Sequence, residues 1–205
     1  MKIYLVRHGE IQGAGIKRFI GSTDVPLSDK GVEQGRRLRK YLSRISFDRV
    51  YSSDMRRTLT FAVIISGCSR NRIRRLQDLC EINLGDWEGK TFDEIQTHFP
   101  QEWRLRGEEI TTYRPPSGES FSDLKARVIP CFESIPYEPD SNVLIVGHAG
   151  VNRVILSHIQ GMELNCLFSI PQDYGALTII KRKTKQEYSL HFPEYGSLIC
   201  KSADH

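Results

Sequence analysis

The sequence has no apolar run approaching the roughly 20 residues that a membrane-spanning helix needs, so no membrane span is expected. A single Lys2 precedes a short apolar stretch that turns polar at once, which is not the form of a secretory signal. Cysteine is sparse: Cys68, Cys80, Cys131, Cys166 and Cys200 are odd in number, scattered and in no metal-ligand spacing. That pattern argues against a disulfide framework and for free thiols in a reducing compartment, the cytoplasm. Asp and Glu form no cluster at metal-binding spacing, and His98, His158, His191 and His205 have no partners at ligand distance along the chain. No metal and no cofactor are therefore expected, and these four histidines read as structural or solvated. Repeats, low-complexity tracts and interdomain linkers are missing too, so residues 1–205 read as one domain.

Charge of one sign is not in large excess. Lys and Arg number 29 against 25 Asp and Glu, a net +4. Basic residues do cluster at Arg36, Arg37, Arg39 and Lys40, and again at Arg70, Arg72, Arg74 and Arg75. Neither cluster interleaves aromatics with charge on one face, as nucleic-acid binding would require, so no nucleic-acid partner is expected.

What is present begins at Ile3-Tyr4-Leu5-Val6, a continuous apolar run of the kind that forms a strand buried on both faces of a parallel sheet. Arg7, His8, Gly9 and Glu10 follow directly, which places a basic pair at a strand's carboxyl end, where open α/β sheets hold ligands. Val143-Leu144-Ile145-Val146 repeats the arrangement, followed by Gly147-His148-Ala149-Gly150 and a helical stripe of Val151, Val154, Ile155 and Ile159. His148 would thus stand between a buried strand and a helix N-terminus, where free N–H groups and the helix dipole favour an anion. Two strand-end histidines with an arginine neighbour point to an anionic substrate held between imidazoles.

Arg-His-Gly-Glu after the first strand, with Gly-His-Ala-Gly after a late one, resembles the histidine phosphatase (phosphoglycerate mutase-like) superfamily over roughly Met1 to Ile180. Arg18-Phe19-Ile20-Gly21 and Thr23-Asp24-Val25-Pro26-Leu27-Ser28 look most like its α-ribazole phosphatase branch. The resemblance implies a three-layer α/β/α fold with a mostly parallel central sheet and a small helical cap over the site, at about residues 89–116. It implies His8 as the nucleophile, Glu81 as the general acid, His148 as a protonated second imidazole, and Arg7, Arg57, Gly9 and Ala149 around the substrate phosphate. Arg57 matches the family's arginine by register, just before Thr58, with Arg56 as the alternative. Glu81 lies in the apolar, Gly-bounded stretch Leu79 to Gly89, where a carboxyl pKa can rise; Glu88 reads as structural.

Gln12 to Leu27 is a long Gly- and Pro-containing loop, read as shaping the pocket because it leaves the catalytic strand directly. Ser28 is a candidate N-cap for a helix with the stripe Val32, Gly35, Leu38, Leu42 and Ile45. Arg49 to Ser53 reads as a strand, Asp54 as the cap of a helix running to Gly67, and Ile73 to Leu76 as a short third strand. Phe92 to His98 reads as helical. Trp87, Trp103 and Tyr113 could stack on a substrate base or form the core of the cap. Gly118-Glu119-Ser120 resembles a family element near the active site. Ser120 and Asp123 match a capping box for a helix carrying Phe121, Leu124, Val128, Phe132 and Ile135, in which Pro130 should cause a kink or break. Strands are expected over Ala176 to Ile180 and Tyr188 to Phe192, Asp173-Tyr174-Gly175 should approach the pocket, and the tail beyond Ser197 should fray.

The expected activity is a phosphomonoesterase that forms a phosphohistidine, most simply on α-ribazole 5′-phosphate, as a monomer or homodimer. Phosphoglycerate mutase, a broad sugar phosphatase and a non-catalytic phosphate-binding protein are the alternatives. Mutases typically place an Arg after the acid Glu, and this chain has Ile82 there. Many superfamily members also carry Thr and Asn where this chain has Ile11 and Ala14, which leaves the Gly13-Ala14-Gly15 backbone to cradle phosphate.

Overall fold

The chain, seen in a computed structural model, is described over residues 1–184 and 187–193. The tail beyond Ser197, with Cys200 and His205, lies outside the described residues. The elements run in the order β1 (Lys2–Arg7), α1 (Asp29–Tyr41), β2 (Arg49–Ser52), α2 (Arg56–Ser66), β3 (Arg74–Arg75), α3 (Phe92–His98), α4 (Pro100–Glu108), α5 (Phe121–Glu133), β4 (Asn142–Gly147), α6 (Ala149–Ile159), β5 (Leu177–Arg182) and β6 (Tyr188–His191). One six-stranded sheet has the order β3-β2-β4-β1-β5-β6. The pairs β3–β2, β2–β4 and β4–β1 are parallel, and β1–β5 and β5–β6 are antiparallel.

The apolar runs explain why β1 and β4 are central. Ile3 and Leu5 face one side with Val143 and Ile145, packed on Leu124, Val128 and Phe132 of α5 and on Val151, Val154 and Ile155 of α6. Tyr4 and Val6 face the other side with Leu144 and Val146, packed on Leu38 of α1 and on Leu59 and Ala62 of α2. A strand with helices on both faces needs apolar side chains at every position, hence the unbroken runs. The architecture is the expected three-layer α/β/α.

This layering also fixes where a ligand can sit. The helices following β1 and β4, which are neighbours, leave toward opposite faces of the sheet. That divergence opens a crevice beyond the strands' carboxyl ends, the topological switch point of an α/β sheet. Val6 pairs with Val146 and Arg7 with Gly147, so His8 and His148 leave the sheet at the same level.

Local details differ from sequence expectation in three places. The helix α2 is not capped by Asp54; its N-cap is Met55, and the Arg56 N–H donates instead to Oδ1 of Asp24 at 2.8 Å, from the loop after β1. The third strand is only Arg74–Arg75, because it is a short sheet edge paired with β2 alone. Of the kink or break expected at Pro130, the break is absent, since α5 runs on to Glu133. Pro130 is on the exposed face one turn from the helix end, where the carbonyl it leaves unbonded, that of Ala126, faces water. The capping box of Ser120 and Asp123 is present, as is one between Thr91 and Glu94 at the start of α3. Among the described residues no helix is long and apolar enough to cross a membrane.

Residues 89–116 carry α3 and α4, whose aromatics gather around Phe19 of the post-β1 loop. Phe19 lies 5.0 Å from Trp87, 4.4 Å from Phe92 and 6.3 Å from Trp103, ring centre to ring centre, and Trp87 meets Tyr113 at 5.7 Å. Trp87, Trp103 and Tyr113 are therefore core aromatics, and Phe92 is the aromatic of this segment that reaches the pocket.

Candidate active site

At the carboxyl ends of β1 and β4 lies a pocket of about 450 Å³, lined by residues that include Arg7, His8, Arg57, Glu81 and Tyr174. The loop between Gln12 and Leu27 supplies much of its wall, from Ile11 through Val25, as the sequence suggested. It is pinned in place by antiparallel bridges between Ile11 and Leu27 and between Arg18 and Thr91.

His8 is buried at the pocket floor. Its Nδ1 lies 2.7 Å from the Gly9 carbonyl oxygen, so Nδ1 carries the proton and Nε2 keeps its lone pair with no partner among the described residues. Burial, together with Arg7 and Arg57, holds the His8 pKa well below the usual imidazole range. The ring is therefore neutral, and Nε2 has the free lone pair that a nucleophile needs. Gly9 itself turns away from the pocket: a Cβ there would lie 2.5 Å from the Gly31 carbonyl oxygen, so the residue must be glycine for the chain to pass α1.

His148 sits beside His8, with ring centres 5.1 Å apart, and is fully buried. Its hydrogen bonds fix its tautomer. The Thr58 hydroxyl donates to the Met55 carbonyl at 2.9 Å and so accepts from Ser53 Oγ at 2.7 Å. Ser53 Oγ in turn accepts from His148 Nε2 at 2.8 Å. The remaining nitrogen, Nδ1, accepts from Arg57 Nε at 3.3 Å. Sequence reasoning expected a protonated His148; here burial first, then Arg57 and His8, keep its pKa well below the usual range, and Nδ1 has no proton to give. Two arginines stand beside these buried rings, so neutral imidazole is the lower-energy form.

Arg57 is the arginine that reaches the site. It is 1% exposed, whereas the Arg56 side chain is 60% exposed and pairs with Asp24. Besides His148, Arg57 donates from Nη2 to the Gly21 carbonyl at 2.6 Å and from Nη1 to the Thr23 carbonyl at 2.7 Å. Each terminal nitrogen keeps a second N–H for a ligand. Arg7 donates to the Gln172 carbonyl and stacks on Tyr174, its guanidinium carbon 4.0 Å from the ring centre. Tyr174 also lies 5.7 Å from the His8 ring, so the Asp173–Gly175 segment does approach the pocket.

Glu81 lines the pocket, with Oε2 accepting from the Gly150 N–H at 3.0 Å in the first turn of α6. The acceptor at that helix start is thus the protein's own Glu81 carboxyl group, while Ala149 is half-buried beside it and does not line the pocket. Glu88 is structural, as the sequence implied. Burial would raise its pKa, but donors from Thr23, Leu84, Ser22 and Gly21 outweigh it and hold the carboxyl below its usual range. Through those bonds it fastens the pocket loop to the segment bearing Glu81. Ser53 and Thr58, which set the His148 tautomer, were not singled out from sequence, and only their place after β2 could have drawn attention to them. Among the described residues no cluster of His, Cys, Asp and Glu could hold a metal.

The model of the histidine phosphatase superfamily (branch 1) matches residues 3–193. The chain belongs to the histidine phosphatase superfamily. The chain is 36% identical over 158 residues to 6-phosphofructo-2-kinase/fructose-2,6-bisphosphatase 4 of Rattus norvegicus, an alignment covering 76% of this chain and 32% of that protein. It therefore spans about a third of the length of that relative. Among solved structures, Bacillus stearothermophilus YhfR has a TM-score of 0.84 at 33% identity, covering 93% of this chain and 95% of that one. The α-ribazole phosphatase from Shigella flexneri has a TM-score of 0.84 at 26% identity, covering 94% and 95%.

The two neutral rings have a measurable consequence. In the unfolded chain both would titrate near pH 6.5; in the folded protein they bind protons only well below it. Unfolding therefore takes up protons below about pH 6.5, and the stability present above that value is lost as pH falls, by about 1.4 kcal/mol per pH unit for each ring. Imidazole NMR titration of the ligand-free protein should show neither ring taking a proton between pH 8 and 6. Titration of either ring in that interval would contradict the assignment.

Proposed function

We propose that the protein hydrolyses a small phosphomonoester through a phosphohistidine on His8, with α-ribazole 5′-phosphate as the leading substrate and the cytoplasm as its compartment. The observation that carries the chemistry is the His8 ring, neutral, with Nδ1 tied to Gly9 and Nε2 free at the floor of a pocket holding Arg7, Arg57 and Glu81.

Nε2 attacks phosphorus while the ester oxygen leaves. Arg7 and the spare N–H groups of Arg57 meet the equatorial oxygens, where the charge is spread. Glu81, protonated before the reaction, gives its proton to the departing alkoxide. As a carboxylate it then takes a proton from the water that attacks the phosphohistidine, which restores His8. His148, linked to Arg57 through Nδ1, holds that guanidinium in place, and a bound phosphate dianion would favour its protonation. The Gln12–Leu27 loop and the 89–116 segment would act as wall and cap.

The outer wall supports this substrate class. Ile11, Ile16, Ile20, Val25 and Phe92 line the pocket beyond the buried arginines, which suits an apolar, planar alcohol such as a benzimidazole riboside. Similarity to an α-ribazole phosphatase supports the same reading. A second reading, a sugar bisphosphatase, is favoured by Lys17 and Arg18 on the same wall, which could meet a second phosphate. A mutase is disfavoured because Ile82, where mutases place an arginine, is buried in the core.

The test is phosphate release from α-ribazole 5′-phosphate, fructose 2,6-bisphosphate, 3-phosphoglycerate and an aryl phosphate, with and without a chelator. A kcat/KM for α-ribazole 5′-phosphate at least tenfold above the others, unchanged by the chelator, is the expected result. A preference for the bisphosphate would transfer the assignment to the second reading, and loss of activity on chelation would overturn the metal-free mechanism.

A further inference from the structure

Glu81 lies on irregular backbone between two short 3₁₀ turns, Gln77–Leu79 and Gly85–Trp87, with no strand ladder to hold it. Its support comes from the other side of the chain. Arg127 of α5 donates from Nε to Glu119 Oε1 at 2.8 Å and from Nη2 to Glu119 Oε2 at 2.9 Å, a bidentate pair. The other N–H groups go to main-chain carbonyls: Nη1 to Asp78 and Cys80, both at 2.8 Å, and Nη2 to Glu81 itself at 3.1 Å. All five donors of the guanidinium are thereby used. Glu119 completes the arrangement, accepting from the Asn83 N–H at 2.9 Å and donating its own N–H to the Asn83 carbonyl at 2.7 Å. The main chain is therefore held immediately before, at and just after Glu81.

We propose that Arg127 and Glu119 are positioning residues that fix the Glu81 carboxyl for proton transfer to the leaving group. The proposal rests on the reading of Glu81 as the acid. Neither residue lines the pocket, so each acts through the Glu81 segment. The pair is well placed for this. Its side chains are 22% and 25% exposed, and Glu119 directly precedes Ser120, the N-cap that starts α5. A partly exposed ion pair alone contributes little to stability. Here the guanidinium also satisfies three carbonyls that would otherwise face loosely held water, and only arginine has the planar fork to do so. A proton donor displaced by about 1 Å can lose about a hundredfold in rate.

The experiment measures kcat/KM over a series of phosphomonoesters, from activated aryl to alkyl leaving groups, for the wild type and for Arg127→Gln, Arg127→Lys, Glu119→Gln and Glu81→Gln. Arg127→Gln should lose about a hundredfold on alkyl phosphates and less than about threefold on activated aryl ones. Glu119→Gln, which keeps the shape and one acceptor oxygen, should show the same selectivity at smaller size. Should Arg127→Gln fail to fold, Arg127→Lys and Glu119→Gln decide the matter. If these variants lose activity equally across the series, or not at all, while Glu81→Gln remains selective for leaving group, the clamp is refuted and the acid assignment stands. If Glu81→Gln is itself unselective, the acid assignment falls and the clamp with it.

Discussion

His8→Ala is expected to lower kcat by on the order of 10⁵-fold or more, leaving no phosphate release above background. The size follows from the lack of a substitute. The neighbouring imidazole cannot take over, because His148 Nδ1 is engaged by Arg57 and Nε2 by Ser53. Tyr174, though 5.7 Å from the His8 ring, is a phenol packed against Arg7. The fold should survive the change. His8 donates one side-chain hydrogen bond, to the Gly9 carbonyl, and its main-chain bonds to Gly147 and Gly175 remain in the variant. Rapid quenching with ³²P-labelled substrate reads the result directly: wild-type protein should carry acid-labile label and His8→Ala none. Labelled His8→Ala, or a residual rate within a hundredfold of wild type, would remove His8 from the reaction.

Much of this arrangement is legible in the sequence because it depends on local patterns. Unbroken apolar runs at Ile3–Val6 and Val143–Val146 mark strands buried on both faces, and the residues that follow them necessarily gather at one end of the sheet. The capping box at Ser120 and the helix end at Gly67, where φ is +69°, are equally local. The order of strands is not local. Nothing in the sequence says that β4 inserts between β1 and β2, although that insertion is what brings His148 beside His8.

The cap of α2 shows the same limit. Asp54 precedes the helix and has the right chemistry, yet Asp24 does the work from a loop about thirty residues upstream. The ionisation of the ligand-free His148 is not legible in the sequence for a related reason. Its state depends on burial and on an Arg57 Nε aimed at Nδ1, and neither can be read from Gly-His-Ala-Gly. Arg57 could be separated from Arg56 only through the motif; in the structure burial makes the distinction physical. The segment after β1 illustrates how these non-local contacts serve the site. Arg57 holds Gly21 and Thr23 from one side by their carbonyls, and Glu88 holds Gly21, Ser22 and Thr23 from the other by their N–H groups. A loop that looks unstructured in sequence is thereby a fixed wall, and Arg57 is fixed with it.

Glu81→Gln is expected to reduce kcat/KM for alkyl phosphates such as α-ribazole 5′-phosphate by about 10²–10⁴-fold. The loss for an activated aryl phosphate should stay within a few-fold. Glutamine preserves the shape and can still accept from the Gly150 N–H, now at 3.0 Å from Oε2, so the pocket should keep its form. What it cannot do is deliver a proton. An alkoxide is a poor leaving group without one, whereas an activated aryl oxide departs unaided, so only the first reaction should suffer. The comparison must use kcat/KM, which reports transfer to His8, because the same carboxylate is needed again to activate water. Hydrolysis of the phosphohistidine should therefore become the slow step in the variant for an activated aryl substrate, whose transfer to His8 stays fast. With an aryl phosphate, Glu81→Gln should release one equivalent of phenol in a fast burst and then turn over slowly. Equal losses in kcat/KM for both substrate classes would show that Glu81 is not the acid, and a missing burst would show that it is not the base.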